Sequence, residues 1–337
     1  MKLAPKYLDW AIVGLFALLP VYLIRFNIAG VPLTALEALI ILIVALGIFT
    51  KRYDWQKLKA QPVFWLSVVI ALIATLSVGI SPNTIGALGI WKAYYLEPIA
   101  LFALLLSIGN VQLFKKILVA LGVSAIAISV FGFWQYFSGY GVPAAFMQAG
   151  GGVDRIVSVY GYPNAIGLFL APIIMLYSGW LFEKAQWKFQ VAKIVVILIS
   201  FAAIILAESE GAMLSIPALW LAMLVWNQRT RLWAIGTSII GAIILLVTPA
   251  LHAYILSKLL LQDYSGFIRR LIWKESWLML LDHPIFGAGL AGYQTVIKPY
   301  HLPTFEIFLY PHNIVLNFWS ELGILGLISF AILIGYH

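Results

Sequence analysis

The sequence contains no cysteine and few charged residues. Of its 337 residues, 63% are hydrophobic and only 10% are charged, whereas about a quarter of the residues in an average soluble domain are charged. The absence of cysteine excludes thiolate catalysis, cysteine-bound zinc and disulfides. The scarcity of charge excludes a water-soluble fold of this length, because such a fold could not bury so much apolar surface. We therefore expect an integral membrane protein.

Apolar segments recur along the whole chain, and no polar, serine-rich or charge-rich linker separates them. A bilayer core of about 30 Å requires about 20 apolar residues per helix. The sequence therefore predicts one all-α membrane domain, residues 1–337, built as a polytopic bundle of about ten transmembrane helices. The expected spans are 8–24, 33–50, 62–80, 88–107, 117–137, 162–182, 191–207, 211–227, 231–250 and 313–336.

The basic residues predict how these spans are oriented. One set of helix ends carries 13 of the 21 lysines and arginines, namely Lys2, Lys6, Lys51, Arg52, Lys57, Lys59, Lys115, Lys116, Lys184, Lys188, Lys193, Arg229 and Arg231. By the positive-inside rule these ends face the cytoplasm, as do both termini. The net charge of +8 then reflects topology and contact with anionic lipid headgroups, and no nucleic-acid partner is expected. The predicted location is the cytoplasmic membrane.

The longest connection, residues 251–311, falls on the external side and contains three of the five histidines. Long loops on compact scaffolds usually carry function. Within this loop, residues 265–281 mix charged side chains with tryptophan and aliphatic residues, which predicts a short amphipathic helix near the membrane surface. Asp282-His283-Pro284 should end that helix.

A glycine-rich turn follows, and its letters match a nucleotide-binding fingerprint. Gly287-Ala-Gly289-Leu-Ala-Gly292 spells G-x-G-x-x-G. However, no βαβ unit surrounds these residues, and the loop faces away from cytoplasmic nucleotides. We therefore expect a tight structural turn and no nucleotide partner.

Side chains suited to chemistry collect at the external ends of the helices. His312 lies between Pro311 and Asn313, where a polar loop becomes a helix. Its imidazole can stay neutral and reachable by solvent there, as a general base requires; alternatively, Asn313 caps the helix and the histidine is a bystander. Arg269 and Arg270 offer permanent charge and fork-like donors suited to phosphate oxygens, or they are surface arginines that snorkel.

Two further external connections carry charge. Arg155 lies next to Asp154, so an ion pair between them is the simplest interpretation. Glu208 and Glu210 mark the turn between the seventh and eighth spans, where two solvated carboxylates require no function. No acidic cluster suited to magnesium occurs in the long loop, so we expect neither a metal ion nor a cofactor.

Several of these residues belong to motifs with a specific order and spacing. The motifs are Arg269-Arg-Leu-Ile-Trp273, His283-Pro284-Ile-Phe-Gly287-Ala-Gly289, His312-Asn313, Glu321-Leu-Gly323-Ile-Leu-Gly326, and Arg155 followed by Gly161-Tyr-Pro163-Asn164. In this pattern the chain resembles the O-antigen ligase and polymerase superfamily. The resemblance covers the whole topology and is strongest between residues 150 and 326.

The resemblance implies glycan transfer at the outer face of the cytoplasmic membrane, without a metal ion. The donor would be a polyprenyl-diphosphate-linked oligosaccharide, and the acceptor a hydroxyl of a glycan, a lipid or a protein. In the family's pattern His312 would be the general base, Arg269 would stabilise the diphosphate, and Arg155 would position the donor. Arg270, Asn313, Glu321 and Glu210 are the further residues expected to contact substrate.

The chain departs from the family pattern in two ways. Many members carry Ser-Arg-Gly at the turn before the eighth span, whereas this chain has Ser209-Glu210-Gly211. A carboxylate there would repel a diphosphate, so Arg155 or Arg270 compensates, the donor binds differently, or activity is lost. Family members also usually continue beyond the Glu-x-Gly helix, so a chain ending at His337 is a short variant or a fragment.

Two interpretations from other classes remain. A secondary transporter or a flippase of lipid-linked glycans would also need an apolar bundle, but transporters usually show internal repeats and broken helices at matching positions. We find no repeat, and the polar residues collect at the external surface. A structural membrane protein would leave His312 and Arg269 without a role. Glycan transfer is therefore the leading hypothesis.

Overall fold

The computed structural model describes residues 4–28, 31–228, 230–303 and 305–336. Lys2, Arg229 and His337, which were named above, lie outside the described residues. The helices are α1 (Ala4–Ala17), α2 (Ala35–Phe49), α3 (Trp55–Lys59), α4 (Pro62–Ile80), α5 (Thr84–Ile90), α6 (Glu97–Ile108), α7 (Val111–Ser138), α8 (Pro163–Trp180), α9 (Trp187–Leu206), α10 (Glu210–Trp226), α11 (Arg231–Val247), α12 (Pro249–Leu259), α13 (Tyr264–Asp282), α14 (Tyr293–Val296) and α15 (Ile314–Gly335). Short 3-10 segments cover Leu19–Leu23, Ala144–Phe146, Ser158–Tyr160 and Lys298–Tyr300.

Six helices in the described part of the chain are long and apolar enough to cross a membrane. They are Pro62–Ile80, Thr84–Ile108, Val111–Ser138, Pro163–Trp180, Trp187–Leu206 and Ile314–Gly335. The second of these joins α5 to α6 through a π-helical stretch, Trp91–Leu96. Helices α2 and α10 are apolar but shorter. The predicted polytopic helical bundle is confirmed, and the number of about ten spans stays a prediction.

The first predicted span, residues 8–24, is wrong as a single helix. Helix α1 ends at Ala17, and Leu19–Leu23 forms a 3-10 turn with Pro20 in its first positions. Proline has no backbone N–H and its ring clashes with the carbonyl four residues earlier, so an α-helix cannot pass through it undisturbed. A two-stranded antiparallel sheet follows, in which β1 (Arg25–Ile28) pairs with β2 (Val31–Thr34). This hairpin was not predicted from the sequence.

The chain divides into two compact units. Unit 1 comprises Met1–Leu39 and Asn110–Ala242, and unit 2 comprises Ile40–Gly109 and Ile243–His337. In unit 1, helices α7, α8 and α9 pack on one another and α1 packs on α7. Their core is aliphatic, and Tyr177 on α8 donates a hydrogen bond of 2.8 Å to the carbonyl of Leu118 on α7. The organisation as one domain stays a prediction.

Unit 2 is organised around an interruption in α15. Gly323, with φ 70° and ψ −176°, is non-helical and divides α15 into two parts. The turn 284–289 docks against this interruption, where Ile324 N donates to Ile285 O at 3.1 Å. A helix that is broken inside a membrane leaves backbone groups without intrahelical partners, and these must be satisfied by protein. The turn provides those partners.

Further hydrogen bonds fasten the same turn to α15 and to α4. Ala288 N donates to Ser320 O at 2.7 Å. On α4, the Ser77 hydroxyl donates to the Glu321 carbonyl and accepts from Leu290 N at 2.9 Å. One serine therefore links the turn, the broken helix and the neighbouring helix.

Glycine is required where these backbones meet. Gly287 has φ 65°, and a Cβ there would lie 2.4 Å from the carbonyl oxygens of Trp319 and Ser320. A Cβ on Gly323 would lie 2.0 Å from Ile285 O. These positions combine a left-handed backbone with contact against rigid main chain. The prediction that G-x-G-x-x-G is a structural turn is confirmed, and the only sheet among the described residues is the antiparallel hairpin.

We expect Gly323→Ala to lower the free energy of unfolding by roughly 2 kcal/mol or more, because the methyl group adds backbone strain and a clash with a carbonyl oxygen. Thermal unfolding in detergent, followed by tryptophan fluorescence, measures the change. Gly79→Ala is the matched control, since Gly79 lies in α4 and a Cβ added there would meet nothing within 4 Å. Equal melting temperatures for the two variants would contradict the role assigned to Gly323.

Candidate functional site

The residues singled out in the sequence fall in both compact units. Unit 2 contains His312, Arg269, Arg270, Asn313 and Glu321, and unit 1 contains Arg155 and Glu210. Within unit 2, His312 and Arg269 lie close enough for the charge of the arginine to act on the imidazole. These two side chains form the centre of the candidate site.

Helix α13 places the two arginines near its start. Asp263 caps the helix by accepting from Gly266 N at 3.2 Å, and its other oxygen pairs with Lys258 at 3.0 Å. Arg269 follows in the second turn and is half-buried, whereas Arg270 is exposed. The boundaries of α13 confirm the helix predicted over residues 265–281 and its end at Asp282-His283-Pro284.

His312 stands between the loop and α15 in an unusual backbone conformation. Its φ is 51°, in the left-handed region that a residue other than glycine adopts only rarely. The ring contacts Phe308 and Tyr310 edge-on, with centroid distances of 5.2 and 4.8 Å. The imidazole is exposed, and it forms no hydrogen bond with any residue that the structure describes. Both of its nitrogens are available to another molecule.

The surroundings of His312 favour the neutral imidazole. Partial burial among the aromatic rings lowers the pKa of His312 below its ordinary value, and the positive charge of Arg269 lowers that pKa further. Both effects penalise the imidazolium form. The ring can therefore accept a proton at neutral pH, which is the property required of a general base.

A polar stripe descends α15 from the site. Asn313 caps the helix, and its side-chain oxygen accepts from Val315 N at 3.0 Å and Leu316 N at 3.2 Å. Asn317 and Glu321 follow at intervals of four residues, so all three share one face. The Asn317 amide donates to the Glu321 carboxylate at 3.5 Å. The cap at Asn313 is thus present together with an available His312, and one does not exclude the other.

A buried carboxylate in the same unit was not predicted from the sequence. Glu275 on α13 is 3% exposed and contacts His301 and Leu302 in the loop that precedes His312. A signal was present in the sequence, because Glu275 shares a helix face with the buried Ile272 and Met279. A carboxylate on an apolar face needs a partner, but the sequence does not identify which residue provides it.

In unit 1, Arg155 binds the end of α9. Its Nε donates to Ala207 O at 3.0 Å, and Nη2 donates to Glu208 O at 3.0 Å and to Asn164 at 3.3 Å. Its guanidinium also lies over the ring of Phe146, at 5.9 Å from the centroid. A cation is favourable at a helix C-terminus, where the carbonyl groups lack intrahelical partners. Arg155 therefore holds the loop that precedes α8 to the end of α9.

Glu210 begins α10 on the other side of the same turn. It is exposed, and Ser209 before it is buried. Glu208, whose carbonyl accepts from Arg155, has a φ of 48° and reverses the chain between α9 and α10. The turn thus places a carboxylate at a helix N-terminus, where negative charge is stabilised by the helix dipole, within a few residues of the carbonyl groups that bind Arg155.

The arrangement in unit 2 provides a proton acceptor beside a permanent cation. A neutral imidazole can take a proton from a hydroxyl, and a guanidinium can bind an anion through several hydrogen bonds. Among the residues that the structure describes, no group of three or more histidine, aspartate or glutamate side chains could hold a metal ion. The expectation of metal-independent chemistry stays a prediction.

Comparison with known proteins identifies relatives of this chain. Residues 194–331 match the O-antigen ligase family. The chain is also 24% identical over 322 residues to an O-antigen ligase of Salmonella typhimurium (strain LT2), an alignment covering 87% of this chain and 76% of that protein. No solved structure matches the chain. The resemblance found in the motifs is confirmed, and the matched region contains α13, the turn 284–289 and His312.

We expect the pKa of His312 to lie below about 6.5, the ordinary value for histidine. Arg269→Gln should raise this pKa, because removing a neighbouring positive charge stabilises the imidazolium form. NMR of the isotopically labelled imidazoles across a pH series measures the value, and the signal missing in His312→Ala identifies the residue. Arg270→Gln is the matched control and should leave the pKa in place, since only Arg269 contributes a charge effect at His312. Equal shifts in both arginine variants would contradict the pairing of Arg269 with His312.

Proposed function

We propose that this chain, which carries a domain of the O-antigen ligase family at residues 194–331, transfers a glycan from a polyprenyl-diphosphate carrier to an acceptor hydroxyl. The family relationship makes it a multi-pass membrane protein of the glycosyltransferase type. We place the transfer at the outer face of the cytoplasmic membrane, with the N-terminus in the cytoplasm and residues 251–311 outside. The distribution of basic residues supports this orientation.

One observation carries the proposal, namely that the imidazole of His312, which forms no hydrogen bond with the described residues, lies within reach of the charge of Arg269. A ring that forms no hydrogen bond with the described residues can accept one from an acceptor hydroxyl. The adjacent guanidinium suits an anion, and the donor's diphosphate is one. The same arginine that would bind the donor also adds to the effect of burial in lowering the pKa of His312, so the two functions support each other.

The proposed reaction requires no redox partner. His312 accepts the proton of the acceptor hydroxyl while the hydroxyl oxygen attacks the anomeric carbon of the donor sugar. The bond between that carbon and the diphosphate oxygen breaks, and its electron pair leaves with the diphosphate. Arg269 stabilises the charge that develops on the leaving group, as a preorganised cation does. The proton then passes from His312 to solvent, which the exposure of the ring permits.

The remaining residues of unit 2 would bind substrate. Arg270 is exposed beside Arg269 and can contact a second phosphate oxygen. Asn313 and Glu321 lie on the polar stripe of α15 that begins at His312, and they suit the hydroxyl groups of a sugar. Membrane lipids and the prenyl tail of the donor would contact the apolar helix surfaces.

The break in α15 does not favour the transporter hypothesis. Transporters use discontinuous helices to build a substrate site from unpaired backbone groups. Here the turn 284–289 occupies the break and forms hydrogen bonds to it from Ala288 and to Ile285. The interruption therefore has a structural partner within the protein.

We expect His312→Ala and Arg269→Ala each to lower the rate of transfer about a hundredfold or more, the usual scale for a lost general base or a lost charge stabiliser. The assay uses a synthetic polyprenyl-diphosphate oligosaccharide and purified protein in liposomes. Lys274→Gln is the control, because Lys274 is an exposed cation on the same helix and has no role in the proposed site.

The outcome of this assay separates the two classes of function. Transfer by the native chain that is lost in both variants, while they remain folded, supports the enzyme. If the native chain instead moves the donor lipid across the bilayer without transfer, and His312→Ala does so equally well, a flippase replaces the proposal.

The acidic turn of unit 1 gives a further prediction. If Arg155 positions the donor, then Glu210, two residues after the Glu208 carbonyl that Arg155 binds, repels the diphosphate. We then expect Glu210→Gln to lower the KM for the donor several-fold with little change in kcat, since the charge would act on binding. Steady-state kinetics at low ionic strength measures the effect. An unchanged KM in Glu210→Gln, or a large loss of kcat, would show that the donor does not approach this turn as proposed.

A further inference from the structure

The loop that carries His312 is anchored to α13 by a buried carboxylate. Leu302 N donates to Glu275 Oε1 at 2.9 Å, and His301 Nδ1 lies 3.1 Å from Glu275 Oε2. The side chains of Glu275 and His301 are 4% and 12% exposed. Neither residue takes part in the reaction proposed above, so their contact requires a separate explanation.

The second nitrogen of His301 also faces an oxygen atom. Nε2 lies 2.8 Å from the carbonyl oxygen of Phe305. A carbonyl accepts only, and an ionised carboxylate also accepts only. Both contacts are hydrogen bonds when His301 carries two hydrogens, or when Glu275 carries one and donates it to Nδ1. The imidazole therefore joins α13 to the loop through both of its nitrogens.

A series of aromatic contacts continues from His301 to His312. The His301 ring packs edge-on against Phe305 at 4.8 Å, Phe305 lies 6.2 Å from Phe308, and Phe308 lies 5.2 Å from His312. Because His312 has no hydrogen bond to the described residues, these ring contacts and its own backbone determine where its imidazole lies. The anchor at Glu275 is the buried end of this series.

We propose that Glu275 and His301 are a positioning pair that holds His312 at its working distance from Arg269. Arg269 precedes Glu275 by six residues on α13, which corresponds to about 9 Å along the helix axis. One rigid helix therefore carries the cation of the site and the anchor of the loop that supplies the base. This inference rests on the proposed function for its effect on rate, but not for its effect on the loop.

Two other contacts hold the loop from its outer side. Tyr300 donates to Asp282 at 2.5 Å, and the Gln294 amide donates to Ile307 O at 3.2 Å. Both contacts involve exposed atoms, where water replaces a lost partner at little cost. The buried pair has no such replacement, so its loss should displace the loop more than the loss of either outer contact.

The first experiment measures the loop directly, by hydrogen exchange and mass spectrometry of residues 301–312 in the full chain. Glu275→Ala should speed exchange in this segment at least tenfold. Glu275→Gln should stay within about threefold of the native rate, because its carbonyl can accept from Leu302 N and its amide can donate to a neutral His301. Tyr300→Phe is the control, because it removes one of the outer contacts of the loop. Its exchange rate in residues 301–312 should stay close to the native rate.

The second experiment measures the position of His312 without any substrate, as the rate at which diethyl pyrocarbonate modifies that residue. We expect Glu275→Ala and His301→Ala each to change the rate of His312 modification at least threefold from that of the native chain. Glu275→Gln should keep the native rate. Should a single variant fail to fold, the double variant Glu275→Leu with His301→Leu removes both polar groups together and leaves no buried unpaired charge. It should show the same altered rate.

The third experiment measures transfer. Glu275→Ala and His301→Ala should each lower kcat ten- to a hundredfold with KM nearly unchanged, because a displacement of about 1 Å in a reacting group has effects of that size. The double alanine variant should be no slower than either single one, since both changes break one contact. Recovery in Glu275→Gln separates positioning from loss of the carboxylate's charge.

The results distinguish this inference from the proposed function. If Glu275→Ala keeps the native exchange rate of residues 301–312 and the native modification rate of His312, the proposed positioning pair is wrong. It is also wrong if the exchange rate rises in this variant while kcat for transfer stays unchanged. If the native chain shows no transfer, the proposed function fails, whereas the exchange and modification rates still decide whether Glu275 and His301 hold His312.

Discussion

The hydrogen bonds between the turn 284–289 and the interrupted helix α15 are the interaction on which unit 2 depends. A helix break in an apolar environment exposes backbone groups that lipid cannot satisfy. The turn satisfies them through Ile285 and Ala288, and it approaches so closely that only glycine fits at positions 287 and 323. The break also ends the first part of α15 just after Glu321, which fixes how far the polar stripe below His312 extends into the bundle.

This arrangement explains why Gly287 and Gly323 occur in motifs close to Arg269 and His312, the two central residues of the candidate site. The turn follows directly after α13, and α15 follows directly after His312. Fastening the turn to α15 therefore connects the helix that carries Arg269 to the helix that His312 precedes. The glycines contribute no chemistry of their own, but they permit the backbone contact that fixes the relative placement of the two helices. In the same way, Arg155 in unit 1 contributes through the α9 carbonyls that it binds.

Local signals in the sequence predicted much of this fold. Periodic apolar runs gave the long spans, and the boundaries of α13 and the cap at Asn313 followed from helix start and stop residues. Pro20 is a stop signal as well, but a length criterion of about 20 apolar residues concealed its effect on the first span. The β1–β2 hairpin was missed because its residues lie in a connection that hydropathy treats as featureless.

The contacts that position the site could not be predicted, because they join residues far apart in the sequence. Motif spacing indicated His312 and Arg269, but it gave no reason to expect that the charge of Arg269 lowers the pKa of His312. The contact between Glu275 and His301 spans 26 residues, and a single sequence contains no information on which buried carboxylate meets which loop. Such pairings depend on the path of the chain between α13 and α15, which packing determines as a whole.

The fixed ends of that path have a consequence for how the protein can change. The turn 284–289 is held to α15 by main-chain contacts, and Tyr293 and Ile297 after it are buried against α13 and α15, whereas Glu306 and Leu309 are exposed. Substitutions at these exposed positions can therefore be accepted without moving α13 or α15, whereas changes at the buried positions or at His301 would disturb the loop. The exposed positions are the part of this loop most open to divergence. Under the proposed function, such changes would alter which acceptor the loop contacts while His312 and Arg269 keep their places.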